Sequence, residues 1–404
     1  MRGQETDLCI VGGGPAGMVA GLLFARAGVR TVVLEKHADF LRDFRGDTVH
    51  PSTLEIYREL GLLDELLERP HSRAELFTAI VAGQEIGFAD FRSLDVSCPF
   101  VALMPQWDFL DVTADAARRY QSFELRMSTQ AVALVEEEGR IAGVRLEDGE
   151  IIRSRLVLAA DGRHSVIRDQ TGLPLKDLGA PMDVFWFRIS KPTAEVNETA
   201  FLVGAGQVMA LIDRDDYWQA AYVFPKGSAD RIRAAGLATF RRNIAAAAPT
   251  LAARIDELRS WDDIKFLSVS LNRLERWHRP GLLLIGDAAH AMSPMGGVGI
   301  NLAIQDAVAA ANILAGPMAA GEKVDALLPR VQQRRMMPTK IIQAIQRTAQ
   351  NRVIGPLLEE PRIVTRPPRL LQLFSRSAFM RRRVAALVGI GIRPEQVRSP
   401  DAGY

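Results

Sequence analysis

Cysteine and histidine are scarce in this sequence, and its acidic and basic residues nearly balance. The 404 residues include two cysteines and six histidines, and the formal net charge is +2. Two cysteines exclude a disulfide framework and predict a reducing compartment, the cytoplasm. The histidines lack the spacings of metal ligands, so we expect no metal site. The small net charge gives no indication of a nucleic-acid partner.

Long apolar runs are also absent. The apolar stretch Leu8–Ala25 is preceded by acidic residues, interrupted by glycines and followed by Arg26, which argues against a signal peptide. No run reaches the roughly 20 apolar residues that cross a bilayer as a helix, so we expect no membrane span. With 48% apolar and 24% charged residues, the chain has the composition of a globular protein with a large core.

The chain begins with the strand, turn and helix of a nucleotide-binding domain. An apolar strand at Asp7–Val11 leads through three glycines into a helix at Pro15–Ala27, and Thr31–Leu34 is a second strand. Apolar periodicity and turn residues predict the remaining elements. These are helices at Leu54–Leu67, Phe109–Tyr120 and Ala234–Leu258, a β-meander at Phe123–Ala160, several strands within Met182–Phe224, a buried strand at Gly281–Ile285, and mainly helix from Asn301 onward.

This order of elements predicts an α/β protein in which an antiparallel sheet is inserted into a Rossmann-like domain. We expect the discontinuous dinucleotide-binding domain to comprise residues 1–76, 101–181 and 275–320. The inserted β-sheet domain, which would bind substrate, comprises residues 77–100 and 182–274. Residues 321–404 form a helical C-terminal region.

The first motif that carries chemistry is Gly12-x-Gly14-x-x-Gly17, with Glu35 at the end of the second strand. The first glycine permits a tight turn, the second lets a diphosphate approach the backbone, and the third lets helix and strand pack closely. The first turn of the helix, with Pro15 and Ala16, offers free N–H groups to the phosphates. Glu35 can accept hydrogen bonds from the adenosine ribose, and Lys36 beside it completes this part of the predicted site.

Two segments far downstream favour FAD over NAD. The buried strand ends in Gly286-Asp287, where the carboxylate can bind a polyol hydroxyl, and FAD has such a polyol in its ribitol. A second glycine-rich helix start follows, with Gly297, Gly299, Ile300 and Asn301. Its amides can face the flavin ring and stabilise negative charge on it.

A third strand ends in Asp161-Gly162 and is followed by Ser165 and Arg168. Taken alone, this segment is as consistent with a purely structural role, a strand-end turn followed by a helix capped by Ser165, as with a role in cofactor binding. In this order and at these separations, however, the three motifs resemble those of the para-hydroxybenzoate hydroxylase family, the class A flavoprotein monooxygenases. The resemblance extends from about Thr6 to Leu314.

The resemblance implies an FAD-binding domain of the para-hydroxybenzoate hydroxylase and glutathione reductase type. It implies that the first glycine motif binds the ADP part of FAD and that Gly286-Asp287 holds the ribitol. Asp161 would take part in binding both FAD and NAD(P)H. Arg45 matches a flavin-contacting arginine, Gln106 matches a glutamine that contacts the cofactor, and Val132 lies where a backbone group meets the adenine.

The resemblance also implies a reaction. NAD(P)H, a transient co-substrate, reduces FAD, and O₂ then forms a flavin C4a-hydroperoxide that hydroxylates a small aromatic or hydrophobic substrate, most often a phenol or a polyketide. The sequence leaves two alternatives open. One is epoxidation or a Baeyer–Villiger-like oxygenation on the same scaffold, and the other is a protein that holds flavin without turnover.

The sequence is least informative about the substrate pocket, and it identifies no catalytic residue. Thr48 and the carbonyl of Pro294 lie where relatives place groups near the substrate. Phe185 and Tyr222 are candidates by alternation along their strands, although alternation favours sheet core for most such residues. His50 and Tyr222 are candidates for the base that deprotonates the substrate.

The C-terminal region is basic. Residues 326–404 contain 15 Lys or Arg and four Asp or Glu, which gives this segment a formal net charge of +11. Association with an anionic membrane through this region is one interpretation, but we favour packing of its apolar residues on the body or on a second copy in a homodimer, the alternative being a monomer. The apolar residues concerned are Leu370, Leu371, Leu373, Phe374 and Phe379.

Overall fold

The computed structural model of the chain describes residues 4–41, 48–81, 83–191, 199–204, 207–214, 216–359 and 375–403. The strands are β1 (Gln4–Val11), β2 (Thr31–Leu34), β3 (Thr48–Val49), β4 (Ser72–Ala74), β5 (Leu76–Val81), β6 (Gln84–Asp90), β7 (Val101–Leu103), β8 (Phe123–Arg126), β9 (Ala131–Glu137), β10 (Arg140–Leu146), β11 (Ile151–Ala159), β12 (Leu175–Asp177), β13 (Met182–Ser190), β14 (Ala200–Gly204), β15 (Gln207–Asp213), β16 (Tyr217–Pro225), β17 (Lys265–Leu267), β18 (Asn272–Leu274), β19 (His278–Arg279), β20 (Leu282–Leu284) and β21 (His290–Ala291).

The α-helices are α1 (Pro15–Arg26), α2 (Pro51–Glu59), α3 (Leu63–Leu67), α4 (Gln106–Arg118), α5 (Val166–Gln170), α6 (Ala229–Ala234), α7 (Leu237–Ala247), α8 (Val298–Ala319), α9 (Leu328–Ala349), α10 (Gly355–Glu359) and α11 (Ala378–Gly389). A π-helix at Gln350–Ile354 joins α9 to α10. The predicted helix at Leu54–Leu67 is instead two helices, α2 and α3, because Gly61 adopts a left-handed conformation with φ +69° and ends the first.

The larger sheet is a parallel nucleotide-binding sheet with an antiparallel extension. Its main strands run in the order β19-β20-β11-β1-β2-β8, and β9 and β10 extend it from β11. The predicted meander is correct for β9, β10 and β11, which pair antiparallel. It is wrong for β8, which pairs in parallel with β2 at the sheet edge. The α/β class with a Rossmann-like sheet is confirmed.

The second sheet is mostly antiparallel and contains the strands predicted within Met182–Phe224. Its order is β17-β13-β16-β15-β14-β5-β6. β5 and β6 belong to the early part of the chain, and β5 pairs in parallel with β14. One face of this sheet packs against α7 through a cluster that includes Phe187 and Phe240. The opposite face carries Val184 and Ala221, which pack against Ile354 and Leu358 of the π-helix and α10.

Helix α8 corrects one expectation from composition. The helical segment Met295–Ala319 is long and apolar enough to cross a membrane, judged by length and composition alone. However, 78% of its most apolar window is buried inside the protein. It packs against α1 and forms part of the core of the nucleotide-binding sheet, so its apolar composition is explained by that position.

A buried ionic network joins the segment after β20 to helices α8 and α9. The Asp306 carboxylate of α8 accepts hydrogen bonds from the Gly286 N–H (3.2 Å), from His290 Nε2 (2.6 Å) and from Arg335 Nε (3.0 Å). Arg335 Nη1 also lies 3.3 Å from Glu395 Oε1, so the network reaches the C-terminal segment. Burial alone would raise the pKa of Asp306, but the charge of His290 and the hydrogen bonds from His290 and Arg335 hold that pKa below its usual value.

The C-terminal segment packs on the body, with one difference from prediction. Ala385 of α11 is fully buried in a cluster with Phe91, and Arg26 Nη2 of α1 lies 3.1 Å from Asp401 Oδ2. The prediction that Phe379 packs is wrong, because its side chain is 62% exposed and α11 contacts the body through its later residues. The other predicted packing residues, Leu370, Leu371, Leu373 and Phe374, lie outside the described residues.

We expect Asp306→Asn to lower the free energy of unfolding by about 3–5 kcal/mol, because it removes the charge that compensates the fully buried Arg335. The matched control is Asp115→Asn, whose carboxylate pairs with Arg118 at the surface at 2.8 Å, with both side chains at least half exposed. That change should cost about 0–1 kcal/mol. Urea unfolding of the two variants measures both values. Similar losses in the two variants would contradict the role assigned to the buried network.

Candidate active site

The turn between β1 and α1 has the backbone geometry that the first glycine motif predicts. Gly12 has φ +106°, and a Cβ there would lie 2.5 Å from the Ala160 carbonyl oxygen. A Cβ at Gly17 would lie 1.9 Å from the Gly12 carbonyl oxygen, so α1 can approach β1 only with glycine at this position. A Cβ at Gly14 would meet nothing within 4 Å. The turn therefore leaves open space at Gly14, the position at which a diphosphate approaches the backbone.

The N-terminus of α1 opens directly onto this space. Gly14 is the N-cap, Pro15 is the first helical residue, and Ala16 behind it is buried. The first turn contains no acidic residue, so no side chain of the helix itself compensates the positive end of its dipole. Free N–H groups and an uncompensated dipole suit a bound phosphate.

Glu35 lies at the end of β2, beside the same turn. Its Oε2 accepts a hydrogen bond from the Gly13 N–H at 3.0 Å, and its Oε1 accepts one from the His37 N–H at 3.0 Å. The side chain is almost fully buried, whereas Lys36 is exposed. Glu35 thus fixes the conformation of the glycine turn and brings a carboxylate to the nucleotide side of the sheet.

The segment after β20 lies between the first turn of α1 and the second turn of α8. Gly286 has φ +57°, and a Cβ there would lie 3.0 Å from Ala303 Cβ and 3.4 Å from Ala16 Cβ. Asp287 is partly exposed, and its Oδ2 lies 3.4 Å from Arg163 Nη2. The sequence alone assigned no role to Arg163, although its position directly after Asp161-Gly162 was a signal that it lies near the end of the neighbouring strand.

Asp161 acts within its own turn. Its Oδ1 accepts a hydrogen bond from Ser165 Oγ at 2.5 Å, and its Oδ2 accepts one from the Ile167 N–H at 3.2 Å. Burial raises the pKa of this carboxyl group, and the two hydrogen bonds oppose that change. Ser165 in turn caps α5.

Two further predicted cofactor residues lie elsewhere on the described chain. Gln106 is the first residue of α4, and the Val132 carbonyl accepts a hydrogen bond from Gln170 Nε2 at 2.8 Å.

The second glycine-rich helix start is fixed against β3. Gly297 is the N-cap of α8 with φ +63°, and a Cβ there would lie 2.3 Å from Thr48 Oγ1. Thr48 Oγ1 donates to the Gly297 carbonyl at 3.1 Å, and the Gly297 N–H donates to the Pro294 carbonyl at 3.0 Å. The structure therefore brings Thr48, Pro294 and Gly297 together, with Gly299 and Ile300 in the first turn of α8 beside them.

The Asn301 side chain connects this helix start to α2. Its Oδ1 accepts hydrogen bonds from the His50 N–H (3.0 Å) and from Thr53 Oγ1 (2.7 Å). Its Nδ2 donates to the carbonyls of Thr48 and Gly297 at 3.3 and 3.2 Å. Because its amide is engaged by the protein and its backbone N–H makes the first intrahelical bond of α8, to Gly297, Asn301 fixes the helix start. The N–H groups of Val298, Gly299 and Ile300, which precede that bond, are the ones left for a cofactor.

His50 does not have the properties of a substrate-deprotonating base. Its side chain is fully buried, and Nδ1 lies 2.7 Å from the Val388 carbonyl oxygen. A carbonyl only accepts, so Nδ1 carries the proton. Burial lowers the pKa of His50 to about 4, against the smaller opposing effect of the bond to Val388. The neutral ring connects α2 to the end of α11, and we correct its interpretation to a structural one.

Phe185 and Tyr222 also require correction as pocket residues. Both lie on the face of the second sheet that packs against α7, where their ring centroids are 5.8 and 5.2 Å from that of Phe240. Phe185 is fully buried, and burial raises the pKa of Tyr222. The aromatic alternation correctly identified one face of the sheet, but that face is core. The opposite face, with Val184 and Trp186, was missed because both faces of β13 are apolar.

Two further predictions concern the flavin-contacting arginine and metal binding. Arg45 lies outside the described residues. Within the described ranges, no group of three or more His, Cys, Asp or Glu side chains could hold a metal ion.

Comparisons with known proteins agree with this geometry. Residues 5–345 match the model of a family described as FAD binding domain. The 6-methylpretetramide 4-monooxygenase of Streptomyces rimosus is 33% identical over 343 residues, which cover 84% of this chain and 82% of that protein.

Solved structures share the fold. PqsL of P. aeruginosa, in complex with 2-aminobenzoylacetate, superposes with a TM-score of 0.75 at 21% identity, covering 88% of this chain and 100% of that one. OxyS anhydrotetracycline hydroxylase from Streptomyces rimosus superposes with a TM-score of 0.73 at 21% identity, covering 99% of this chain and 78% of that one.

The glycine turn allows a paired test. Gly14→Ala places a methyl group in the open space beside α1, so we expect at least a tenfold increase in the Kd for FAD with little change in the stability of the apoprotein. Gly17→Ala forces α1 away from β1, so we expect it to lower apoprotein stability by about 1–3 kcal/mol. Flavin fluorescence titration and apoprotein thermal unfolding measure the two effects. Unchanged FAD affinity in Gly14→Ala would refute the phosphate position.

The depressed pKa of His50 predicts a pH dependence. The folded protein binds the proton more weakly than the unfolded chain, whose histidine has a pKa of 6.5. Stability therefore falls as the pH drops from about 6.5 towards 4, by about 2 kcal/mol between pH 7.5 and pH 5 from this group. His50→Asn, which keeps a donor for Val388, should lose this contribution. Parallel pH profiles of urea unfolding in the two proteins would disprove it.

Proposed function

This chain belongs to the FAD binding domain family as a class A flavoprotein monooxygenase, and we propose that it hydroxylates a fused-ring phenol of the polyketide type. The proposal takes its substrate class from the 6-methylpretetramide 4-monooxygenase, whose name designates a polycyclic aromatic substrate. That protein is similar along most of both chains. The reaction consumes NAD(P)H, a proton and O₂ and yields the hydroxylated ring, NAD(P)⁺ and water.

The observation that carries the proposal is that the N-terminal parts of two helices lie on either side of one glycine. A Cβ at Gly286 would contact Ala16 in the first turn of α1 and Ala303 in the second turn of α8. This arrangement suits a long cofactor with a diphosphate at one end and a ring that becomes negatively charged at the other. FAD has both features, and when bound it supplies the activation of O₂.

We propose the following division of labour among the residues. Gly12, Gly14, Pro15, Ala16 and Gly17 hold the diphosphate, and Glu35, Lys36 and Val132 face the adenosine. Gly286 and Asp287 hold the ribitol, with Arg163 and Asp161 supporting that turn. The amides of Gly299 and Ile300 face the flavin ring, and Gly297 and Asn301 fix the helix start that presents them. Arg45 and Gln106 contact the cofactor.

The substrate is proposed to lie between the Thr48–Pro294 side of this site and the sheet face that carries Val184. That face is apolar, and Ile354 and Leu358 pack against part of it. Apolar walls suit a flat aromatic ring and exclude water, which protects the activated oxygen from loss as hydrogen peroxide. Residues 77–100 and 182–274 would form this substrate domain, and residues 1–76, 101–181 and 275–320 would form the FAD-binding domain.

The alternatives are not favoured. The relatives compared above are named as a monooxygenase and a hydroxylase, rather than as epoxidases or proteins that hold flavin without turnover.

We further propose a monomer or homodimer in the cytoplasm, in line with two unpaired, buried cysteines, Cys9 and Cys98. Membrane association through the basic C-terminal region is not favoured, since part of that region packs on the body.

The test is NAD(P)H oxidation by the FAD-loaded protein with a panel of phenol, 2-naphthol and tetracycline, the last a soluble tetracyclic polyketide. We expect at least one fused-ring phenol to accelerate oxidation about tenfold or more over the rate without substrate. The product should gain one oxygen atom from ¹⁸O₂, as measured by mass spectrometry. Acceleration with hydrogen peroxide as the sole oxygen product, or no acceleration by any of the three, would refute the proposed function.

A further inference from the structure

Three glutamines lie along one face of the C-terminal half of α9 and its π-helical extension. They are Gln343, Gln346 and Gln350, and at 100° per residue they share one side of the helix. All three side chains are buried, with at most 3% exposed. Their spacing was visible in the sequence, but glutamines at such a spacing are also typical of a solvent-exposed helix face, so the sequence did not show that they are buried.

The first two glutamines bind the backbone that leads to the second glycine-rich turn. Gln343 Nε2 donates to the carbonyls of Asn272 and Ala291 at 2.8 and 3.2 Å. Gln346 Nε2 donates to the carbonyls of Ser293 and Met295 at 3.1 Å each, and Gln346 Oε1 accepts from the Ser293 N–H at 3.2 Å. Along the helix, the contacts thus advance towards Pro294 and the start of α8.

The Gln350 side chain continues this face, but its amide forms no hydrogen bond within the part of the chain that the structure describes. Both Nε2 and Oε1 of its side chain are buried and without a hydrogen-bond partner there. A buried amide left unpaired costs on the order of 1–3 kcal/mol for each group. Gln350 also begins the π-helix, an irregularity that is frequent at functional sites.

The contacts made one helical turn before and one turn after Gln350 define its position. One turn before it, Gln346 contacts the backbone at Ser293 and Met295. One turn after it, Ile354 packs against the sheet face of Val184 and Ala221. Gln350 therefore lies between the turn that would face the flavin ring and the sheet face that would cover the substrate.

A second unpaired polar group lies on the sheet face against which Ile354 packs. Trp186 of β13 packs against the cluster that contains Val184 and Ile354. Its indole N–H is buried and, among the described residues, has no hydrogen-bond partner. Two unpaired donor groups and one unpaired acceptor thus belong to two segments, β13 and the π-helix, that pack on the same apolar cluster.

We propose that Gln350 is a substrate-contacting residue whose amide binds an oxygen substituent of the aromatic ring system, with Trp186 as a second donor. A flat, oxygenated polycycle supplies carbonyl and hydroxyl groups at its edges, and the apolar walls accept its faces. This inference rests on the proposed function, because it assigns the polar contacts of that same substrate. It makes Gln350 a determinant of substrate choice, since a ring without an edge oxygen leaves the amide unpaired.

The experiment compares Gln350→Met with Gln346→Met in the FAD-loaded protein. Calorimetric titration gives the Kd for 2-naphthol and tetracycline, flavin fluorescence gives the Kd for FAD, and thermal unfolding without substrate gives Tm. We expect Gln350→Met to raise the Kd of at least one phenol about tenfold, with unchanged FAD affinity and an equal or higher Tm. Gln346→Met, which loses three backbone hydrogen bonds, should lower Tm.

Three results would overturn the inference. They are an unchanged Kd for every phenol that wild type binds, a loss of FAD affinity in Gln350→Met, and a fall in Tm as large as that of Gln346→Met. If wild type itself binds none of the phenols, the proposed function fails and the inference fails with it. These outcomes are distinguishable because wild type and variants are titrated with the same probes.

Discussion

The Asp306 carboxylate is the interaction on which the geometry of the candidate active site depends. It fixes the Gly286 N–H, and Gly286 lies between Ala16 of α1 and Ala303 of α8. Asp306 belongs to α8 and is held by Arg335 of α9, so the two long helices share one buried charge. A carboxylate in the core is costly unless it is paired, and here its partners come from the segment after β20 and from α9, while Arg335 also pairs with Glu395 of the C-terminal segment. The cofactor turn, the two helices and the C-terminal segment are therefore positioned together.

The parts of the site that the sequence predicted are those in which a residue type has one physical explanation. Gly12 has a positive φ, and Gly17 and Gly286 stand where a side chain would collide with a neighbouring helix or backbone. Few other residues satisfy such positions, so their spacing carried the prediction. The parallel strands were predictable for a similar reason, because strands buried on both faces are continuously apolar. Wherever the backbone itself makes the site, local sequence was sufficient.

The parts that could not be predicted depend on which side of an element faces which neighbour. Both faces of β13 are apolar, so alternation identified Phe185 without showing that α7 covers its side. Histidine is a residue type that acts as a base, and only the buried hydrogen bond to Val388 reveals that the His50 ring joins α2 to α11. Gln350 has the same residue type and helix face as Gln343 and Gln346, but among the described residues its amide has no hydrogen-bond partner. Each of these distinctions requires long-range packing, which a single sequence does not contain.

The chain order of the nucleotide-binding sheet has a consequence for synthesis in the cell. The glycine turn after β1 emerges first from the ribosome, but its neighbours in space are β11 and the turn after β20. Gly17 and Gly286 are separated by roughly 270 residues, so at about 5–20 residues per second the second half of the site follows roughly 15–55 s later. During that interval the apolar surface of α1 lacks α8. The nascent chain is therefore exposed to misfolding before FAD can bind, and chaperone protection matters most in this interval.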